Sequence, residues 1–259
     1  MKIVGYFHGI DVASQGDYYT DVIHLLPEKP ALNPEKPEDQ FKWLPFLVGI
    51  MRLKHRDPNE IIDLQIQMFN RFPPMRVEID STREDFLSHA LIRKYGQSTI
   101  IPVKFLNSGQ SNTKFHLKQI GYSYIDAGYQ WPDDMTIEKT QPRNAKLLRI
   151  LKKEMLHEQI EYTDTGSITF SHPIGKHNDL VHGWELSLDA VMKFQEKNLG
   201  NEKRKIDNPE YLKNLKEIYN DKDYPTEDDE DDVFDRSWYD LPSYSDRMLD
   251  RIDRDKFIP

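Results

Sequence analysis

The chain has 259 residues, 31% charged and 37% hydrophobic, with a net charge of −9 and no cysteine. That length gives one ample domain with appendages. The missing cysteines exclude disulfides, thiolate metal sites and cysteine nucleophiles, and no apolar run approaches the roughly eighteen residues of a membrane span. The short apolar stretch before Asp11 has neither the length nor the cleavage site of a signal peptide, so a cytoplasmic setting is the default. The charge is uneven. Residues 221–235 carry nine acids and one lysine, residues 236–259 balance to zero, and residues 1–220 stand at −1. The main body is therefore nearly neutral, and the acidic run reads as a solvated, disordered linker.

In chain order, Ile3 to Asp11 is β-prone and ends on an acid. Ser14-Gln15-Gly16-Asp17 supplies turn chemistry, and Tyr18 to Leu26 is β-rich again. Residues 27–42 hold four prolines among many charges and read as a loop; Leu44 to Leu53 is a third strand. Pro58 suits the first turn of a helix whose Ile61, Ile62, Met68, Phe69 and Phe72 recur at helical spacing until Pro73-Pro74. Met75 to Asp80 is a short strand, again closed by an acid. Ser81 or Thr82 precedes a helix through Phe86, Leu87, Ala90 and Leu91 that Gly96 ends.

Thr99 to Phe105 makes a fifth strand. Residues 111–129 and 143–157 read as helices, and 158–163 with 167–171 as a hairpin about Asp164-Thr165-Gly166. A long helix with Leu180, Trp184, Leu188 and Val191 on one stripe opens near Asp179 and runs to about Asn198. A short helix is expected at 209–219. Three strands joined closely, then alternating helices and strands, predict an α/β fold. Its mixed sheet has three antiparallel strands followed by parallel ones, flanked by helices, with a small β-hairpin.

Three acids mark element ends: Asp11 closes the first strand, Asp80 the fourth, and Asp179 opens the long helix. Ligands of open α/β sheets gather beyond the carboxyl ends of strands. If the first and fourth strands are neighbours, Asp11 and Asp80 emerge side by side and a helix across that edge can deliver Asp179. Converging carboxylates repel unless a cation neutralises them, and hard oxygen ligands suit Mg²⁺ or Mn²⁺. Spacing alone favours acids that cap turns and helices.

Three segments resemble motifs of one family. GIDVASQGDYYTDVIHL (9–25) resembles the opening of the nuclease domain of viral large terminase subunits, a strand ending in Gly-x-Asp with a Gly-Asp-Tyr-like turn into the next strand. VEIDSTRED (77–85) resembles the second strand-end acid of that domain, and FSHPIGKHNDLVHGWELSLDA (170–190) its third motif, typically His-Asp-Asp, an apolar pair and Asp-Ala. The motifs span about residues 3–195 in the family's order.

The resemblance implies an RNase H-like nuclease domain over 1–200, followed by a short helical extension (201–220), the acidic linker (221–235) and a C-terminal tail (236–259). It implies a two-metal-ion endonuclease for double-stranded DNA in viral genome packaging, in the host cytoplasm. By the same resemblance, Asp11, Asp80 and Asp179 would be the catalytic ligands of a pair of Mg²⁺ or Mn²⁺ ions. Asn178 departs from the first Asp of His-Asp-Asp, and His182 stands where a further Asp is common; His182 lies one helical turn from Asp179, so both can face the site. Metal number and identity therefore stay open.

Glu78 shares Asp80's face of its strand and is the second choice for that ligand. Asp17 fits an Asx-type turn, with auxiliary metal binding as its alternative; His177 fits a helix entry, with a phosphate contact as its alternative; His8 fits a packed position; Lys114 and Lys176 are candidates for DNA phosphates. No P-loop motif occurs, so a packaging motor would need its ATPase from a separate subunit or domain, together with a portal. The sequence then reads as an excised or separately encoded nuclease domain. The alternatives are another RNase H-like nuclease, a junction resolvase or repair exonuclease, and a non-catalytic packaging or adaptor module that keeps the fold.

Overall fold

The computed structural model describes residues 2–12, 18–28, 43–54, 57–82, 86–105, 113–132, 142–162, 168–171 and 178–199. The expected helix at 209–219, the acidic run, the tail and the Asp164-Thr165-Gly166 turn lie outside them. Five strands form one sheet: β1 (Ile3–Asp11), β2 (Tyr18–Pro27), β3 (Phe46–Lys54), β4 (Pro74–Asp80) and β5 (Ile100–Val103). Their order is β3-β2-β1-β4-β5. The β1–β2 and β2–β3 pairs are antiparallel, and β1–β4 and β4–β5 are parallel. This is the mixed sheet that the sequence predicts, three antiparallel strands followed by parallel ones. β6 (Gln159–Tyr162) and β7 (Ile168–Ser171) pair antiparallel in a separate two-stranded sheet.

The helices are α1 (Pro58–Arg71), α2 (Phe86–Tyr95), α3 (Thr113–Asp126), α4 (Pro142–His157) and α5 (Asp179–Leu199). Local chemistry sets their ends. Asp57 caps α1 by accepting a hydrogen bond from the Asn59 N–H at 2.9 Å, with Pro58 in the first turn; such a cap is worth about 1 kcal/mol. Beyond α2, Gly96 takes φ +86°, a left-handed conformation open to glycine at little cost.

Period-two alternation divides the strands between two cores. On one face Ile10, Tyr19, Ile23, Val77 and Ile79 pack with Phe69 of α1 and Leu87 and Leu91 of α2. On the other, Phe7, Val22 and Leu26 pack with Leu117 of α3, Leu148 and Leu151 of α4, and Leu180, Trp184 and Val191 of α5. Helix α5 is buried on all sides from Asp179 to Val191, because the sheet covers one side and α3 and α4 the other. Burying large apolar side chains such as Leu180, Trp184, Leu188 and Val191 contributes roughly 1.5–3 kcal/mol each before the loss of conformational entropy is counted.

His8 lies on the α1 face, fully buried. Its Nε2–H donates to the Phe72 carbonyl at 2.9 Å, and Nδ1 lies 3.0 Å from Asp21 Oδ2. It is a packed residue, as its place in the strand suggested.

Candidate active site

Register brings the first two acids together. Gly9 pairs with Glu78 and Ile10 with Ile79 across the parallel β1–β4 ladder, so Asp11 and Asp80 close neighbouring strands at the same level. Both follow the α5 face by alternation, since Gly9 meets α5 directly. A Cβ built on Gly9 would lie 2.0 Å from the Gly183 carbonyl oxygen and 2.3 Å from the Ser187 nitrogen. Backbone on backbone is the closest approach a helix can make to a strand, and here it draws the first turns of α5 down onto the end of β1.

Asp179, the first residue of α5, is tied to the next strand. Its carbonyl accepts from Thr20 Oγ1 at 3.0 Å, and its carboxylate accepts from the Tyr18 N–H at 3.4 Å. Thr20 is the register partner of Asp11. Thus Asp80, Asp11 and Asp179 belong to one edge of the sheet, ordered across β4, β1 and β2.

His182 sits among them. Its Nδ1 is 3.2 Å from Asp11 Oδ2, and its Nε2 is 3.1 Å from Asn178 Nδ2. An amide NH₂ can only donate, so Nε2 is the acceptor and Nδ1 carries the proton toward Asp11; this tautomer is assigned from the bonding pattern. Burial holds the imidazole down to about 3, helped by the charges of Lys118 and Lys114 and opposed by Glu158 and Asp80. His182 is therefore a neutral donor. Phe105 packs against it in a T-shaped pair with centroids 5.3 Å apart.

Asp80 is fixed from its own turn: Oδ1 accepts from the Thr82 N–H at 2.8 Å and from the Thr82 hydroxyl. Thr82 Oγ1 in turn accepts from the Phe105 N–H at 2.8 Å. Glu78 turns beneath α5, fully buried, with Arg76 Nη2 at 2.9 Å and Lys193 Nζ at 3.0 Å. Burial pushes its carboxyl up to about 8, with Asp189 adding to the push. Its Oε1 is thus engaged away from Asp80, while Oε2 is buried without a hydrogen-bond partner among the described residues. Lys114 is half-buried, its Nζ 5.8 Å from the Phe105 ring centroid. Asp17, Lys176 and His177 lie outside the described residues.

Three hard carboxylates on two strand ends and a helix start match the donor chemistry of Mg²⁺ or Mn²⁺. Among the described residues, no group of three or more His, Asp or Glu side chains is already spaced to hold an ion. Asp11 is bonded to His182, Asp80 to Thr82 and Asp179 to Tyr18. The donor set fits a hard cation in kind, and closing on one would require these side chains to exchange partners.

Several polar residues around the edge escaped the sequence reading. Glu154 of α4 accepts from the Leu180 and Val181 N–H groups at 2.9 and 3.3 Å and pairs with Arg52 Nη2 at 3.3 Å. Lys118 of α3 is buried between Glu185, at 2.7 Å, and Glu158. The available signal was a charge on an apolar stripe: Glu154 shares the face of Leu147 and Leu151, and Glu185 stands in the buried helix. Which partner each would meet is a tertiary fact.

No protein-family model matches the chain, and no curated protein matches it. Among solved structures, the fold is similar to the large terminase nuclease from thermophilic phage G20c with bound magnesium, at 13% identity and a TM-score of 0.49, over 71% of this chain and 80% of that one. It is also similar to the g2p large terminase nuclease domain of bacteriophage SPP1 with bound Mn, at 12% identity and a TM-score of 0.45, over 73% and 87%. The large terminase of a further thermophilic bacteriophage aligns at 10% identity and a TM-score of 0.48, over 74% of this chain and 41% of that one.

Proposed function

We propose that this chain is a divalent-metal-dependent endonuclease of the large-terminase type, hydrolysing double-stranded DNA in viral genome packaging. The observation that carries the reading is the meeting of three motifs far apart in sequence. Asp11 and Asp80 end adjacent parallel strands on the α5 face, and Asp179 is bonded to the strand on the other side of β1. The motif resemblance then assigns those acids as ligands for Mg²⁺ or Mn²⁺. Such ions, when bound, neutralise the charge that develops on a phosphodiester and its attacking water.

The chain's own residues have separate tasks in this reading. Asp11, Asp80 and Asp179 supply the oxygens. His182, kept neutral by burial, donates from Nδ1 to Asp11 and sets the plane of its carboxylate. Asn178 holds His182 in that tautomer. Thr82 fixes Asp80, in the way outer partners orient metal-binding groups. DNA contacts would be mainly to phosphates and so sensitive to salt, with Lys114 and Lys176 as candidates and the ATPase and portal supplied by other polypeptides or domains.

The test is nicking of supercoiled plasmid in Mn²⁺. Loss of an outer partner costs about 10–100-fold, so loss of a direct ligand should cost at least about 100-fold. D11N and D179N should each fall by that much with the circular dichroism spectrum unchanged. Full activity in the double variant, or in excess chelator, would contradict the mechanism.

The departures at Asn178 and His182 from the family's acids favour one other reading, a packaging module that keeps the fold without cleaving. Calorimetry separates the two: no heat of binding at millimolar Mn²⁺ supports the non-catalytic module.

A further inference from the structure

We infer that Glu154 is a positioning residue for Asp179: it caps the helix that carries Asp179 from a different helix, and so sets where that carboxylate stands at the sheet edge. The inference rests on the metal-site reading above and names a residue outside the three motifs.

The first turn of a helix presents N–H groups with no partner inside the helix. The residue before α5, Asn178, is of the type that ordinarily caps, but its side-chain amide is turned to His182 Nε2. The donors are met from elsewhere. Glu154 Oε2 accepts from the Leu180 N–H at 2.9 Å and the Val181 N–H at 3.3 Å. These are the two residues directly after Asp179, so the bonds fix the turn from which its side chain springs. An acceptor oxygen at this place meets the unpartnered N–H groups of the helix start whichever protonation state it takes.

Glu154 is itself held. Its side chain is only 6% exposed, and Oε1 lies 3.3 Å from Arg52 Nη2. The Arg52 guanidinium stands over the Tyr18 ring, 3.7 Å from its centroid, and the Tyr18 N–H donates to Asp179 Oδ2 at 3.4 Å. The connections close a loop, Glu154 to Arg52 to Tyr18 to Asp179 and back along the helix start to Glu154. Asp179 is thus gripped on both sides, by the strand through Tyr18 and Thr20 and by α4 through its own following amides. Burial pushes the Glu154 carboxyl up to about 8, with Arg52 pulling down and the nearby charge of Asp179 pushing up. The two acids are therefore within electrostatic reach of each other.

The full chain carries the test in two arms. The first needs no metal: hydrogen exchange at the Leu180 and Val181 amides. E154A should speed both by at least about tenfold while amides later in α5 hold, since terminal turns open locally. The second is Mn²⁺ affinity by calorimetry, where E154A should weaken binding about 10–100-fold, the usual cost of losing an outer partner. E154Q keeps an acceptor for the two amides and should restore both readouts to within about threefold of wild type. If E154A fails to fold, E154D, which draws the carboxylate back from the amides, carries the same comparison.

Unchanged exchange at Leu180 and Val181 overturns the cap. Faster exchange with unchanged Mn²⁺ affinity shows a cap that stabilises without positioning, and also overturns the inference. Wild-type protein that binds no Mn²⁺ overturns the metal reading, and with it the positioning of a ligand. The exchange arm tells that failure apart from failure of the cap.

Discussion

At the scale of single residues, the site is a set of polar groups whose states are decided by burial and by one or two named partners. His182 and His24 show this in parallel. Both are held near 3 chiefly by burial, and both bond through each ring nitrogen. His24 lies between Ser187 Oγ and Tyr129 Oη, each at 2.7 Å, neither of which offers a negative charge to a protonated ring. Unfolded, His24 takes a proton below its ordinary value of 6.5; folded, it stays neutral down to about 3. The unfolded state therefore binds more protons in that window, and stability from this group is lost as pH falls through it, by about 1.4 kcal/mol per pH unit. Chemical denaturation of wild type and H24Q at several pH values checks this. The stability of wild type relative to H24Q should fall by roughly 1.5–2 kcal/mol from about pH 6.5 to about pH 5, and a constant difference would contradict the assignment.

Helix α5 is the element on which the site depends, and its docking turns on two glycines. Gly9 of β1 has no room for a side chain: a Cβ would meet the Gly183 carbonyl at 2.0 Å and the Ser187 nitrogen at 2.3 Å. These are backbone atoms and cannot turn aside. Gly183 is tight but less so, with Thr20 Oγ1 at 3.0 Å and the Gly9 carbonyl at 3.1 Å. Overpacking usually costs about 1–3 kcal/mol. G9A should reach or exceed the top of that range, because α5 must lift from the sheet, while G183A should fall within it. Thermal melts of the two variants check the order, and an equal, small effect would contradict backbone contact between α5 and β1.

The start of α5 was legible from Asp179 and the stripe of Leu180, Trp184, Leu188 and Val191, because helical periodicity is a local property. The close approach at Gly9 and Gly183 was not, since a glycine inside a regular pattern announces a near neighbour without saying which. Glu154 was hidden for the same reason: its partners, Leu180 and Val181, come from another helix.

For the whole molecule, the sheet order places the acids. Strands β1 and β4 are separated in sequence by β2, β3 and α1, yet they lie side by side and parallel. The turn-forming residue types from Ser14 to Asp17 made the antiparallel start legible, and the expected alternation of helices and strands after the third strand made the parallel part legible. The adjacency of β1 and β4 could be stated only as a condition, because no local signal fixes which earlier strand a returning strand will join. What the sequence offered toward the site was the motif resemblance and the habit of strand-end acids to face a common edge. The bonds that now turn Asp11, Asp80 and Asp179 each to a separate partner are products of the folded arrangement.

The most direct measurement is a crystal of the full chain soaked in Mn²⁺ and examined by anomalous diffraction. The account predicts one or more peaks between the carboxylates of Asp11, Asp80 and Asp179, with Asp11 drawn from His182 toward the ion. No anomalous signal at that edge in millimolar Mn²⁺, with Asp11 still bonded to His182, would contradict it.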